Sequence, residues 1–304
     1  MHRIAMFLVL STTAMADPLF TVGWGKGDGE IGFFNPSSEA TVDQPYAEGP
    51  GGIASGPKGE IWISDTFGDR ILRFDSKGAH VGTITELKGQ SLSRPQTLSI
   101  GNSQLAVICG QSSRILWLNS RSGEIRTITK GPDDSPLLQP ETLAFQEDNL
   151  WVGDFGTSRS LRYGKDSARL ENLPWTLAGL AVSDGKLHSL AYDAQRRDSD
   201  LVELGASGEA TPRFPLVAPE LLNPYLVGID GKGRVVVRFV KPGPDRKFLI
   251  VRYDENGERG TVLGEVALTV ANGTIALHAD GSVLALSYDA MNAPSGSVEI
   301  HRFD

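Results

Sequence analysis

The chain has 304 residues, of which 40% are hydrophobic and 22% are charged, and its formal net charge is −8. An acidic chain lacks the basic face that phosphate binding requires, so the composition argues against a nucleic-acid-binding protein. The 35 glycines and 17 prolines occur without low-complexity tracts. This composition is typical of a loop-rich β protein with a hydrophobic core.

The N-terminal stretch MHRIAMFLVLSTTAMA predicts a secretory signal peptide. Arg3 supplies a positive charge, an apolar run follows as far as Leu10, and the small residues around Ala16 form a cleavage motif. The apolar run is too short to cross a bilayer, and no later stretch approaches the roughly 20 apolar residues of a spanning helix. We therefore expect cleavage after Ala16, a periplasmic or secreted location, and one domain over residues 17–304.

A repeat follows the first strand-like run, which extends from Leu19 to Trp24. The pattern GGIASGPKGEIWISDTFGDRILRFDSKG contains three short apolar strands separated by turns, and it returns as RPQTLSIGNSQLAVICGQSSRILWLNSRSG and QPETLAFQEDNLWVGDFGTSRSLRYGKDS. Ile53, Leu98 and Leu143 take equivalent positions at a spacing of 45 residues. A repeat of this length predicts the blades of a β-propeller.

Three looser copies bring the number of predicted blades to six. The last copy ends at Asp304 with its third strand, so its fourth strand must come from elsewhere in the chain. We expect the N-terminal strand to complete the last blade and close the ring, because closure removes exposed sheet edges. The predicted fold is therefore an all-β, six-bladed propeller.

The stretch PGGIASGPKGEIWISDTFGDRILRFDSKG resembles an NHL-type repeat. The arrangement EGP…GEIWISD…RILRFD also resembles the first blade of gluconolactonase and regucalcin-like proteins, and the stricter match covers only the first three blades. The second resemblance implies a calcium-dependent hydrolase whose functional residues gather at one mouth of the central channel. Two sets of loops would line that mouth: those that lead into each first strand, and those that join second to third strands.

The lead-in loops contain the candidate calcium ligands. Glu48, Gln96 and Glu141 take matching positions, Asn223 lies in a later loop, and the resemblance assigns the metal-binding glutamate of the family to Glu48. Carboxylate and amide oxygens are the ligands that Ca²⁺ prefers, so one interpretation is that these residues bind calcium as a cofactor. In the other, Glu48 and Glu141 only accept hydrogen bonds from loop amides. The fourth blade has Ala178 where a ligand is expected, and the catalytic aspartate of the family has no counterpart, so the catalytic residues stay unknown.

Two aspartates predict structural loop pins. Asp65 and Asp154 each follow a second strand and stand five residues before Arg70 and Arg159. An aspartate at this position can accept backbone amides and pair with the arginine across the loop. The repetition favours a structural role, since a catalytic residue is needed only once.

A group of basic and aromatic residues predicts a binding rim. Its candidate members are Arg159, Tyr192, Arg196, Arg197, Lys241, Arg246, Lys247 and Tyr288. Such a rim could receive an anionic ligand or an acidic partner surface by charge complementarity. In the alternative, Asp198, Asp200 and Asp245 neutralise these loops locally.

Two functions follow from the sequence. The first is a monomeric binding or scaffold protein that holds a protein partner or a small polar ligand at the channel mouth. The alternative is a calcium-dependent, lactonase-like hydrolase, so enzymatic activity stays open. The few histidines show no metal-ligand spacing, which argues against zinc catalysis.

Overall fold

The computed structural model describes residues 17–34, 49–110, 113–164, 168–170, 177–193, 196, 198–205, 209–216, 221–243, 247–257, 260–267, 273–289 and 296–304. Six four-stranded antiparallel sheets form a ring, so the predicted six-bladed propeller is confirmed. The predicted signal peptide lies outside the described residues. Within them, no helix is long and apolar enough to cross a membrane.

The strands follow one another from the channel outwards in blades 1 to 5. Blade 1 contains β2 (Gly52–Ser55), β3 (Ile61–Asp65), β4 (Arg70–Phe74) and β5 (His80–Ile84). Blade 2 contains β8 (Pro95–Gly101), β9 (Gln104–Cys109), β10 (Arg114–Asn119) and β11 (Ile125–Ile128). Blade 3 contains β12 (Pro140–Gln146), β13 (Asn149–Asp154), β14 (Arg159–Tyr163) and β15 (Ala168–Leu170).

The later blades have longer strands. Blade 4 contains β16 (Leu177–Ser183), β17 (Lys186–Asp193), β18 (Asp198–Leu204) and β19 (Ala210–Leu216). Blade 5 contains β20 (Leu222–Ile229), β21 (Val235–Lys241), β22 (Lys247–Tyr253) and β23 (Gly260–Ala267). A small hairpin, β6 (Glu86–Leu87) and β7 (Gln90–Ser91), connects blades 1 and 2, and single 3-10 turns occur at Pro57–Gly59 and Phe155–Thr157.

Blade 6 closes the ring with strands from both ends of the chain. It contains β24 (Ile275–Leu277), β25 (Val283–Ser287), β26 (Ser297–Phe303) and, as the outer strand, β1 (Phe20–Gly23). Phe20 pairs with Ile300 and Val22 with Val298 in antiparallel register. The closure predicted from the unfinished last repeat is therefore confirmed.

The hydrophobic core lies between neighbouring blades. One cluster joins Val236 and Phe248 of blade 5 to Val283 and Phe303 of blade 6, and all four are buried. Because each blade buries both faces against its neighbours, its middle strands read as nearly continuous apolar runs. The ring thus holds the loops at its two ends on a packed core.

One end of the ring, here called the mouth face, carries the loops of interest. The first strands begin there and the second strands end there, so lead-in loops lie beside the loops that join second to third strands. Adjacent blades are linked at this end: Thr66 Oγ1 of blade 1 donates to the Pro95 carbonyl of blade 2 at 2.7 Å. The Gly49 N–H, which precedes blade 1, donates to the Tyr288 hydroxyl oxygen of blade 6 at 3.2 Å.

Candidate binding face at the channel mouth

The central channel is narrow. Its volume is about 200 Å³, and the first strands of the six blades line it with aliphatic side chains and the hydroxyls of Ser55, Thr97, Ser99 and Thr142. Pockets for drug-sized ligands are typically about 300–1,000 Å³. The channel therefore admits a few water molecules or one small group, and a larger partner must bind on the mouth face itself.

The candidate calcium ligands make separate contacts. Glu48 lies outside the described residues. Glu141 Oε1 accepts from Gln139 Nε2 at 2.6 Å, within the same lead-in loop. The Gln96 amide lies against Gly110 of its own blade, since a Cβ on Gly110 would meet it at 2.6 Å. Asn223 is exposed and has a φ of 48°.

These contacts do not assemble a calcium site from the described ligands. Ca²⁺ takes six to eight oxygen ligands. Within the described part of the chain, no three residues among histidine, cysteine, aspartate and glutamate come together as a group that could hold a metal ion. Glu141 supplies one carboxylate, which accepts a hydrogen bond from a glutamine side chain of the same blade. The fit of calcium to the described residues is therefore poor.

The first loop pin fixes the segment that precedes blade 1. Arg70 Nε donates to Asp65 Oδ2 at 2.7 Å, and the N–H groups of Gly32 and Gly68 donate to Asp65 Oδ1 at 2.9 and 3.0 Å. Burial raises the pKa of Asp65, and Arg70 opposes that rise. The remaining Arg70 nitrogens donate to the carbonyls of Lys26 and Glu30 at 3.1 and 2.8 Å. These bonds join the loop of blade 1 to the N-terminal residues.

The second loop pin repeats the arrangement in blade 3. Arg159 Nη2 donates to Asp154 Oδ2 at 3.1 Å, and the Gln139 N–H donates to Asp154 Oδ1 at 2.7 Å. Arg159 also donates to the Pro136 carbonyl at 2.7 Å and to the Ser135 hydroxyl. Only 7% of Arg159 is exposed, so it differs from the expected rim residue. The aspartate and the preceding loop hold its guanidinium inside the blade.

The described basic rim residues are all engaged in ion pairs. Arg196 Nε donates to Asp193 Oδ2 at 2.7 Å and Nη2 donates to Asp200, and these hydrogen bonds raise the pKa of Arg196. Lys241 and Lys247 both approach Glu265, at 2.6 and 3.7 Å. Arg197 and Arg246 lie outside the described residues. Local neutralisation therefore describes this part of the rim better than an open basic surface does.

The two tyrosines of the predicted rim differ from each other. Tyr288 is 5% exposed, and its ring meets the Trp24 ring edge-on with centroids 5.6 Å apart, which corrects the expectation of a rim contact. Tyr192 is 46% exposed at the end of β17. Only Tyr192 can contact a partner from solvent.

An exposed apolar surface on blades 3 to 5 was not predicted. We call it the apolar arc, and its members are Leu138, Phe155, Tyr192 and Leu222, with exposures of 56%, 55%, 46% and 53%. They follow one another around the mouth face in consecutive blades. The other exposed large hydrophobic residues of the described chain, Leu19 and Val81, lie elsewhere. The apolar character of Leu138 and Phe155 was visible in the sequence, but their exposure was not.

A buried arginine near the mouth was also not predicted from the sequence. Arg238 of β21 lies between the rings of Tyr225 and Phe248, 4.4 and 4.3 Å from their centroids. Burial lowers the pKa of Arg238 and raises the pKa of Tyr225 to about 12. The Glu141 carboxylate is close enough to favour the charged form of Arg238. This cluster supports the channel wall at Tyr225.

Comparisons with known proteins support the fold. No protein-family model matches the sequence, and no curated protein sequence matches it. A streptogramin B lyase structure is similar, with a TM-score of 0.52 and 14% identity over 87% of this chain and 96% of that one. The PQQ-bound aldose sugar dehydrogenase from Streptomyces coelicolor has a TM-score of 0.50 and 15% identity over 84% and 93%.

A chain of a nidogen/laminin complex is similar as well, with a TM-score of 0.50 and 14% identity over 73% of this chain and 85% of that one. At such identities the likeness concerns the propeller fold alone. The three proteins carry out different functions, so the fold does not decide between binding and catalysis. The resemblance to NHL repeats and gluconolactonases stays a prediction from the sequence motifs.

Proposed function

We propose that this protein is a binding or scaffold protein that holds a partner protein on its mouth face. The apolar arc is the observation that supports the proposal. Exposed apolar side chains are ordinary when scattered singly, but four at the same end of three neighbouring blades indicate an interaction surface. Exposed phenylalanine, tyrosine and leucine side chains in one arc suit the hydrophobic core of a protein interface.

A protein partner suits the mouth face better than a small anionic ligand. Arg196, Lys241 and Lys247 already pair with carboxylates, so an incoming anion would have to compete with Asp193, Asp200 and Glu265. The channel is too small to enclose a ligand of drug size. Burial of large apolar side chains, in contrast, stabilises a complex whatever the charge of the partner.

Export belongs to the same proposal. The signal peptide motif predicts a periplasmic or secreted protein, so its partner is met there. We expect the exported protein to be a monomer. Intact-mass measurement of the protein purified from its own cells should give a chain beginning at Asp17. Light scattering of the purified protein should give the mass of one chain. An unprocessed N-terminus would contradict export, and a dimer mass would contradict the monomer.

Cross-linking in the extracytoplasmic fraction of the native cells tests partner binding. We expect the wild-type protein to cross-link reproducibly to one identified protein. The double variant Phe155→Ser/Leu222→Ser should lose that product, because both apolar contacts are removed. Val81→Ser changes a comparably exposed residue (47%) on the outer strand β5 and is the matched control.

The melting temperatures of both variants should equal that of the wild type, since the substituted side chains are exposed. Retention of the cross-link in Phe155→Ser/Leu222→Ser would contradict the proposal. An equal loss in Val81→Ser would contradict it too, because the contact would then not be specific to the mouth face.

A further inference from the structure

Two blades that share a sequence motif present their mouth tyrosines differently. The motif Tyr-Asp-Ala begins at Tyr192 in blade 4 and at Tyr288 in blade 6, each time directly after the second strand or at its end. Tyr288 is almost fully buried, whereas nearly half of Tyr192 is exposed. The tyrosine at this position is thus covered by other residues in blade 6 and exposed in blade 4.

The cover in blade 6 is a segment of the chain itself, residues 24–34, here called the N-terminal segment. Its Trp24 ring packs edge-on against the Tyr288 ring at an interplanar angle of 88°. Phe33 also packs against Trp24, with ring centroids 5.6 Å apart and an interplanar angle of 67°. This segment folds back on itself, since the Gly25 and Ile31 N–H groups donate to the Ile31 and Gly23 carbonyls at 2.9 Å. The loop brings Trp24 onto Tyr288 at the mouth face, where Gly49 also contacts the tyrosine.

The N-terminal segment covers the loop of blade 1 in the same way. Phe34 stacks on Phe67, with ring centroids 5.8 Å apart and an interplanar angle of 21°. Phe67 lies in the four-residue loop between Asp65 and Arg70, and Phe155 lies in the corresponding loop between Asp154 and Arg159. Phe155 is 55% exposed. Blades 6 and 1 thus have covered mouth aromatics, and blades 3 and 4 have uncovered ones.

We propose that Phe155 and Tyr192 form a docking site for a loop segment of a partner protein that carries aromatic side chains, as the looped N-terminal segment does on Tyr288 and Phe67. This inference rests on the proposed binding function and names the chemistry of its partner. Aromatic pairs stabilise an interface beyond the burial of their apolar area, which favours such a segment over a purely aliphatic one.

The partner is a different protein rather than a second copy of this chain. The N-terminal segment of each copy is already held in its own propeller, where Asp65 accepts the Gly32 N–H and Arg70 binds the carbonyls of Lys26 and Glu30. Its aromatic rings are also engaged in that propeller. A second copy would have to break these contacts before it could offer the segment.

A synthetic peptide with the sequence of residues 22–34, VGWGKGDGEIGFF, is the probe. Binding of this peptide, labelled with a fluorophore, to the whole mature protein is followed by fluorescence anisotropy. We expect saturable binding, and we expect Phe155→Ala and Tyr192→Ala each to weaken it about tenfold, as truncation of an aromatic interface anchor does. Tyr192→Phe should retain most of the affinity because the ring remains. Val81→Ala is the matched control and should bind like the wild type.

A peptide in which Trp24 and Phe34 are replaced by alanine should bind much more weakly than the original. Absence of peptide binding overturns the inference. So does binding that is equal in the wild type, Phe155→Ala and Tyr192→Ala, since the peptide would then occupy another place, such as the position of its own segment. A mass in solution that doubles at high protein concentration, and that stays at one chain in Tyr192→Ala, would identify a second copy as the occupant. That result would overturn the choice of partner.

The outcomes separate this inference from the proposed function. In one outcome, Phe155→Ser/Leu222→Ser loses the cellular partner while the alanine variants bind the peptide like the wild type. That result would support the proposed binding function and contradict the aromatic docking site. In the other outcome, peptide binding depends on Tyr192 but no partner is found in cells. That result would support the docking site and contradict the proposed function.

Discussion

Arg70 binds Asp65 with an Nε–Oδ2 distance of 2.7 Å, and the pair joins two parts of the chain that are distant in sequence. Asp65 accepts the Gly32 N–H while Arg70 binds the carbonyl of Glu30, so both partners hold the N-terminal segment on blade 1. The carboxylate is inaccessible to solvent and the guanidinium is nearly so. The pair therefore fixes the loop and also keeps Trp24 and Phe34 over the mouth aromatics.

Removing the arginine should destabilise the protein strongly. Arg70→Met leaves the buried Asp65 carboxylate without its cation, and we expect the free energy of unfolding in urea to fall by about 3–5 kcal/mol. The double variant Asp65→Asn/Arg70→Met should lose less, because no buried charge then remains. Arg73→Met breaks the partly exposed pair with Glu60 and should cost only about 0–1 kcal/mol. Equal losses in Arg70→Met and Arg73→Met would contradict a special role for the buried pair.

The closing strand allows a test with adjacent residues. Val22 of β1 is 3% exposed in the core between blades 6 and 1, whereas Thr21 is exposed. Val22→Asp places an unpaired charge in this core and should reduce the free energy of unfolding by about 3 kcal/mol or more. Thr21→Asp adds the same charge on the outer face and should change it by less than about 0.5 kcal/mol. Similar urea midpoints for the two variants would show that β1 does not seal the ring.

The repeat predicted the fold because blade architecture is encoded locally. The spacing of Ile53, Leu98 and Leu143, the turns between strands and the missing last strand were sufficient for six blades and their closure. The spacing of Asp65 and Arg70 likewise indicated a contact within one loop. The hairpin β6–β7 was missed because its two-residue strands have no periodic pattern.

The mouth face was less predictable because exposure there depends on distant segments. Tyr192 and Tyr288 share a motif, but Tyr288 is buried beneath Trp24 and Gly49, which lie far from it in the sequence, whereas Tyr192 is exposed. Lys241 and Lys247 looked like a basic rim, but both approach Glu265 of the outer strand of the same blade. Such partners follow from strand register, which the local sequence does not show.

Calcium binding gives a third prediction. The described candidate ligands supply one carboxylate, so we expect the melting temperature to be the same in 5 mM CaCl₂ and in 5 mM EDTA (roughly a hundredfold above a 50 μM site). A bound ion at a hundred times its dissociation constant would add about 2.7 kcal/mol of stability. A rise in melting temperature that disappears in Glu141→Gln would contradict this expectation and restore the hydrolase interpretation. Asp134→Asn, at an exposed acidic residue, is the control for nonspecific binding.

His188 gives a pH-dependent prediction. It lies on the face of β17 that turns toward the core between blades 4 and 5, opposite Ala181, in the position that Trp62 and Trp151 take opposite Ala54 and Ala144. Burial lowers the pKa of His188 below the usual value of 6.5; Glu203 opposes this, and Arg213 and Lys186 add to it. The folded state therefore takes up this proton only at a lower pH than the unfolded chain does.

The sign of the effect follows from that difference. Above pH 6.5 both states hold a neutral imidazole and the contribution of His188 to stability is complete. As the pH falls from 6.5 through the folded pKa, the unfolded chain binds the extra proton first, so stability is lost by up to about 1.4 kcal/mol per pH unit. His188→Gln removes the titrating group but keeps the other histidines. Urea unfolding at pH 7.5 and 5.5 should therefore show a smaller loss in His188→Gln than in the wild type, and equal losses would mean that His188 does not titrate with folding.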